Sequence, residues 1–168
     1  IYGASIVGTV SGTTISFGSA VTFYNASILY LTSVFDSTNN KVVLAYNENL
    51  SNTGKAIVGT VSGTTISFGS VVVFEAAQTS YSSCAFDTSI GKVIISYRDD
   101  ANSGYGTGII GTVSGTTISF GTAVVFASAS TIYPSVASNN NGKFVIAFRD
   151  GGNSNRGKAI VGTITGTT

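Results

Sequence analysis

Val7-Gly8-Thr9-Val10-Ser11-Gly12-Thr13-Thr14-Ile15-Ser16-Phe17-Gly18 returns nearly unchanged at residues 58–69 and again at 110–121, and a fourth copy opens at Val161. A fixed period near fifty residues marks a repeat architecture and outranks any single-residue clue to the fold. Register outside this stretch is equally strict. Lys41, Lys92 and Lys143 lie 51 residues apart, as do Glu48, Asp99 and Asp150. One residue is gained after Arg98. One is lost before Lys143, where Asn139-Asn140-Asn141-Gly142 replaces the longer 87–91 segment.

Each period reads as four short strands. In the second period these are 56–61, 64–74, 81–86 and 92–97, and the third repeats them at 109–113, 116–126, 133–137 and 143–148. Ser-Gly and Asp/Asn-rich segments between them are turn formers. Gly18, inside the 13–23 strand, predicts a bulge or a close backbone approach. No stretch keeps a 3.6-residue apolar period, so no helix is expected. In the 92–97 strand one face carries Val93, Ile95 and Tyr97, and the other carries Ile94 and Ser96. Apolar groups on both faces require a sheet covered on both sides, whereas an antiparallel sandwich strand has one wet face.

Stacking one four-stranded sheet on the next satisfies that requirement, and a β-propeller does so radially with about 40–50 residues per blade. The expectation is therefore an all-β chain of four-stranded antiparallel blades of about 51 residues. A two-sheet or fibrous β-stack is the rival. Residues 1–23 supply the outer two strands of a first blade, 28–74 a second, 81–126 a third, and 133–168 the first three strands of a fourth. Propellers close with about 4–8 blades. So the segment is expected to be part of a longer ring, or to complete a ring together with other chains.

Composition narrows the function. Charged residues are 9% of the chain and the net charge is +1, so no basic field recruits nucleic acid or anionic lipid. No apolar run nears the roughly 20 residues of a membrane helix. Histidine is absent, which removes Ser-His-Asp and histidine-metal chemistry. Cys84 is the only cysteine.

The unit Ala85-Phe86-Asp87, then 91–99, then a Gly-rich loop and 110–121 resembles blades of the sialidase-like (BNR-type) propellers. The resemblance implies a blade layout with an Asp-box turn between the third and fourth strands. Here only Ser119-Phe120 stands where that box ends in Thr-Trp, and its Asp and Gly are absent. Sialidase activity in that family needs an arginine cluster, a Tyr–Glu nucleophile pair and an acid. This chain has only Arg98, Arg149 and Arg156, with Glu48 and Glu75 as its glutamates. The near-identical tandem repeat is also similar to repeats of tail-fibre and adhesin-like proteins.

The candidate ligand contacts are two rim triplets and three tyrosines. Tyr97-Arg98-Asp99 and Phe148-Arg149-Asp150 end a strand with a guanidinium that can fork onto a carboxylate or sugar hydroxyls beside an aromatic ring. The bland alternative is an Arg–Asp pair that orders its own loop. Tyr30, Tyr81 and Tyr133 recur where each inner strand begins, as a sugar-stacking shelf or as inter-blade packing. Glu48, Asp99, Asp100 and Asp150 offer oxygen ligands of the kind Ca²⁺ prefers, although turn formers need no metal. The lysines at 41, 92 and 143 either touch an anion or keep the hairpins soluble.

The expected function is a non-enzymatic, cofactor-free module on a cell exterior or virion surface. It would recognise a glycan or cell-surface receptor, without nucleic acid and without membrane insertion. The alternatives are a structural repeat of a fibre, sheath or capsid decoration that contacts copies of itself, and the non-catalytic part of a sialidase-like hydrolase. Recognition predicts exposed, unpaired triplets. A structural role predicts triplets buried between copies or satisfied locally.

Overall fold

The computed structural model describes residues 2–166, so Ile1 and the end of the fourth copy, Thr167 and Thr168, lie outside the described residues. The chain runs β1 (Gly3–Ser5), β2 (Gly8–Ser11), β3 (Thr14–Phe17), β4 (Val21–Tyr24), β5 (Ile28–Asp36), β6 (Lys41–Glu48), β7 (Thr53–Ser62) and β8 (Thr65–Phe68). It continues through β9 (Val72–Asp87), β10 (Lys92–Asp99), β11 (Tyr105–Ser114), β12 (Thr117–Phe120), β13 (Val124–Ser138), β14 (Lys143–Asp150) and β15 (Arg156–Thr163). Every strand pair is antiparallel. The one helical element described is a 3₁₀ turn, Gly151–Asn153. Among the described residues no helix is long and apolar enough to cross a membrane.

The repeated stretch folds as a tight hairpin. Gly12 and Gly63 occupy the first position of two-residue turns with φ of +60° and +58°, a backbone that glycine adopts without steric cost. The Thr14 hydroxyl closes its turn by donating to the Ser11 carbonyl at 2.8 Å. The sequence predicts one strand from 64 to 74, but it is broken. β8 pairs with the end of β7, and β9 starts after three intervening residues, against the beginning of β7. The break falls at Gly69, whose N–H reaches the Val58 carbonyl at 2.9 Å. Gly18 and Gly121 repeat the same contact onto Val7 and Ile110.

A second departure lies at 75–80 and 127–132, where the sequence predicts loops. β9 and β13 run straight through. Up to Gln78, β9 pairs with β7, and from Thr79 onward it pairs with β10. β13 makes the same transfer from β11 to β14. The outer strand of one unit thus becomes the inner strand of the next, which keeps the backbone donors of the crossing hydrogen-bonded. Four units result. The first is β1–β4. The second is β5–β8 with the start of β9. The third runs from the end of β9 through β12 to the start of β13. The fourth is the end of β13 with β14 and β15.

Successive units stack face to face because their middle strands are apolar on both sides. Val43, Ala45, Ala56 and Val58 of the second unit form one buried cluster with Val93, Ile95, Tyr97 and Ile109 of the third. The opposite face of the third, Ile94 and Ile110, packs on Ile146 and Phe148 of the fourth. Phe23 of the first meets Leu44, Tyr46 and Ile57 of the second. Each fully buried aliphatic side chain contributes roughly 1.5–3 kcal/mol.

Tyr46 and Tyr97 occupy the same repeat position and are both fully buried, yet their hydroxyls differ. Tyr97 donates to Glu75 Oε2 at 3.1 Å, whereas the Tyr46 hydroxyl finds no partner among the described residues. Losing a hydrogen bond to a charged group costs about 1.5 kcal/mol or more, and an orphaned buried hydroxyl is itself a cost. Tyr97→Phe is therefore expected to lower the melting temperature by about 3–6 °C. Tyr46→Phe should leave it unchanged or raise it slightly. Calorimetry of the two variants checks this, and equal losses would refute it.

Candidate binding site

Each inner strand opens with a bulge whose register shows which residues are turned outward. In β5, Leu29 pairs with Asn47 and Thr32 with Ala45, so Tyr30 and Leu31 together face the single residue Tyr46. Tyr81-Ser82 face Tyr97 in the same way, and Tyr133-Pro134 face Phe148. Pro134 is tolerated there because a bulge needs no ladder N–H from it. The three tyrosines take φ of 52°, 53° and 53°. That is left-handed backbone, which costs a bulky L-residue about 1–2 kcal/mol. Such strain concentrates at binding and switch sites.

The bulge turns the three rings into a ladder along the stack of units. Tyr30 and Tyr81 have ring centroids 4.9 Å apart, and Tyr81 and Tyr133 are 4.7 Å apart in an edge-to-face contact. Tyr30 and Tyr133 remain exposed. Partial burial, with Tyr81 beside it, pushes the Tyr30 phenol above its ordinary range.

The opposing aromatics point the other way, which corrects the reading of the triplets. Tyr97 and Phe148 are core residues, packed on Phe74 and Phe126 at 5.3 Å, and no surface ligand reaches them. Strand alternation puts Tyr97 on the side of Val93 and Ile95, and that side is covered.

Arg98 sits in a polar groove of about 300 Å³ beside the ladder, with Asn47, Asn49, Ser80, Tyr81 and Asp100 among its walls. Its Nε donates to Asp100 Oδ1 at 2.6 Å and its Nη1 to Ser130 Oγ of the next outer strand at 3.0 Å. Ser80 Oγ donates to the other Asp100 oxygen at 2.6 Å. The guanidinium is thus satisfied locally, by Asp100 rather than by the adjacent Asp99. A shallower recess of about 370 Å³ runs along the three tyrosines past Leu31 and Ser83. Arg149 is exposed, and its guanidinium stands 5.9 Å from the Tyr133 ring centroid, within cation–π range.

The acidic residues put forward for calcium are engaged in their own loops. Glu48 accepts from the backbone N–H groups of Leu50 and Ser51 at 3.1 Å, from the Ser51 hydroxyl, and from Lys55. The Ser51 hydroxyl foremost holds its carboxyl below the usual glutamate range. Asp150 accepts from the Gly152 N–H and pairs with Lys158, whose hydrogen bond is the main cause of its lowered pKa. Asp99 accepts from the Asn102 N–H at 3.0 Å, while its partial burial pushes its pKa up. Among the described residues no three Asp, Glu or Cys side chains converge as a metal site would require.

Lys41 and Lys92 donate to Thr60 and Thr112 Oγ1 across the sheet at 2.8 and 2.7 Å, and Lys143 is exposed. Burial pushes the Cys84 thiol up to about 12, so it is not a thiolate at neutral pH.

Sequence reasoning misses Ser80 and Ser130 as partners of the Arg98–Asp100 pair. No periodic signal marks Ser80, because its counterparts in the repeat are Leu29 and Ile132. No family model matches the chain, and no curated protein is significantly similar to it.

Proposed function

We propose that the four units are blades of a β-propeller of the sialidase-like kind, and that the chain is a non-enzymatic recognition module. It serves an extracellular or virion surface and takes a glycan along the tyrosine ladder. The observation that carries this reading is the ladder itself: three tyrosines held outward in left-handed backbone, beside a polar groove. An exposed aromatic face accepts the C–H groups of a pyranose. The exposed Asn49 and Arg149 supply hydrogen bonds for hydroxyl or carboxylate groups, while the buried Asn47 amide donates within the fold. Arg98, already paired, orders the wall rather than contacting the ligand.

The test is a glycan array followed by titration calorimetry on Tyr81→Gly. Glycine relieves the strained backbone, so this variant should melt at or above the wild-type temperature. It should still lose roughly 30-fold or more in affinity, the scale of a 2 kcal/mol aromatic anchor. Unchanged affinity in Tyr81→Gly, or an array without hits, would sink the reading. A structural repeat of a fibre, sheath or capsid decoration is the second reading. It is favoured by the local satisfaction of Arg98, whose guanidinium is already held by Asp100 and Ser130.

A further inference from the structure

We infer that Asp100 decides which sugar the polar groove takes: it cancels the charge of Arg98 and offers its own lone pairs, so the groove reads the hydroxyls of a neutral saccharide and turns away an acidic one. The inference rests on the glycan reading and narrows it. The groove lies between the second and third units, with Asn47, Asn49 and Asn52 on one side and Ser80, Arg98 and Asp100 on the other. Both units have their inner, middle and outer strands described, so each wall of the groove is whole.

Arg98 and Asp100 are the only charged residues among those that line it. Their ion pair is 2.6 Å long, and the two side chains are 25% and 19% exposed. The pair is therefore within reach of a ligand while presenting no net charge to it. Each Asp100 oxygen already takes one donor, Oδ1 from Arg98 and Oδ2 from Ser80 Oγ. An ionised carboxylate has about four acceptor sites, so each oxygen keeps one for a ligand. A sugar hydroxyl donates there. A ligand carboxylate has no proton to donate at neutral pH and meets a like charge instead, which is how a site discriminates by repulsion. Tyr81 borders the same groove and supplies the aromatic contact.

The repeat separates this role from a structural one. Asn49 stands at the Asp100 position in the second unit and Gly151 in the fourth, while Asn47 and Arg149 stand at the Arg98 position. The backbone is alike at the first two. The Asn49 N–H reaches the Ser27 carbonyl at 3.0 Å, and the Asp100 N–H reaches the Gln78 carbonyl at 2.9 Å. An aspartate is thus no requirement of this turn, and what it changes in the groove is charge.

The experiment is an array of matched glycans, each printed once with a terminal hexose and once with that hexose oxidised at C6 to the uronic acid. It is probed with the wild type and with Asp100→Asn. The substitution copies the second unit, so the turn should form. Should Asp100→Asn melt early, Asp100→Gly, which copies the fourth unit, takes its place. The wild type is expected to bind the neutral members at least roughly 10-fold more tightly than their uronic counterparts. Asp100→Asn frees the guanidinium and should gain roughly 10-fold for the uronic members. A second readout needs no glycan. Melts in sulfate against chloride at equal ionic strength should show a larger sulfate gain for Asp100→Asn than for the wild type. Adding Arg98→Asn to that variant should abolish the difference. Neutral and uronic members bound alike by the wild type, or no gain in Asp100→Asn on the array or in sulfate, overturns the inference and leaves the glycan reading standing. An array without hits for either protein sinks both, whatever the sulfate melts show.

Discussion

Gly69→Ala is expected to cost about 3 kcal/mol, the upper range of overpacking, and to lower the melting temperature by about 6–12 °C. A Cβ at Gly69 would stand 1.9 Å from the Thr116 carbonyl oxygen. That oxygen belongs to the backbone turn of the next unit, so no rotamer change can make room. The second and third units must separate, and the cluster between them that holds Val43, Val58, Ile95 and Tyr97 opens with them. Gly63→Ala is the control. Nothing lies within 4 Å of its Cβ, but its φ is +58°, so it should show only the conformational cost of about 1 kcal/mol. Gly18→Ala meets the Thr64 carbonyl at 2.0 Å in the same manner. It should cost less, because the first unit has only outer strands and can shift as a body. Urea denaturation of the three variants ranks them, and Gly69→Ala no worse than Gly63→Ala would remove the close approach as a determinant of stacking.

The all-β class and the inter-unit burial were legible because both follow from side-chain alternation, which a repeat prints several times over. Val93, Ile94 and Ile95 in succession require cover on both faces, and they have it. The glycine within 13–23 predicts a bulge or a close approach, and Gly18 makes the close approach, to the Thr64 carbonyl, while the strand breaks there instead of bulging. What alternation cannot show is where its own count slips. The bulges at Tyr30, Tyr81 and Tyr133 shift the parity of each inner strand by one residue. They turn a tyrosine outward just where Tyr46, Tyr97 and Phe148 turn inward. That slip is set by the pairing partner, so it divides the tyrosine set from the triplets in a way no spacing along the chain reveals. The continuity of β9 and β13 escapes for the same kind of reason. Residues 75–80 and 127–132 are polar enough to read as loops, but their backbone groups are satisfied by two different neighbours in turn.

Asp87→Ala is expected to cost about 3 kcal/mol, against about 1 kcal/mol for Asp36→Ala, although the two occupy the same repeat position. Asp36 accepts only within its own turn, from the backbone of Thr38 and Asn39 and from the Asn39 side chain. Asp87 also holds its own turn, through Ser89, but its second oxygen takes Ser138 Oγ at 2.8 Å and the Gly142 N–H at 2.9 Å. Those two donors belong to the next unit, in and beside the turn that is one residue shorter than its counterparts and carries Asn139 where the others carry Asp. Removing the carboxylate therefore orphans donors on both sides of a unit junction. Burial pushes the Asp87 pKa up, but the hydrogen bonds from Ser89, Ser138 and Gly142 outweigh it and hold the carboxyl below the usual aspartate range. A depressed carboxylate stabilises the fold above its unfolded pKa, and that contribution is lost as pH falls through the folded value. The gap between wild type and Asp87→Asn should thus be full at neutral pH and shrink as the pH falls below the ordinary aspartate range. Thermal melts from pH 7 down to pH 3 read it directly. A gap that stays constant across the acid range would mean that the junction is held by turn shape alone and not by the ionised carboxylate.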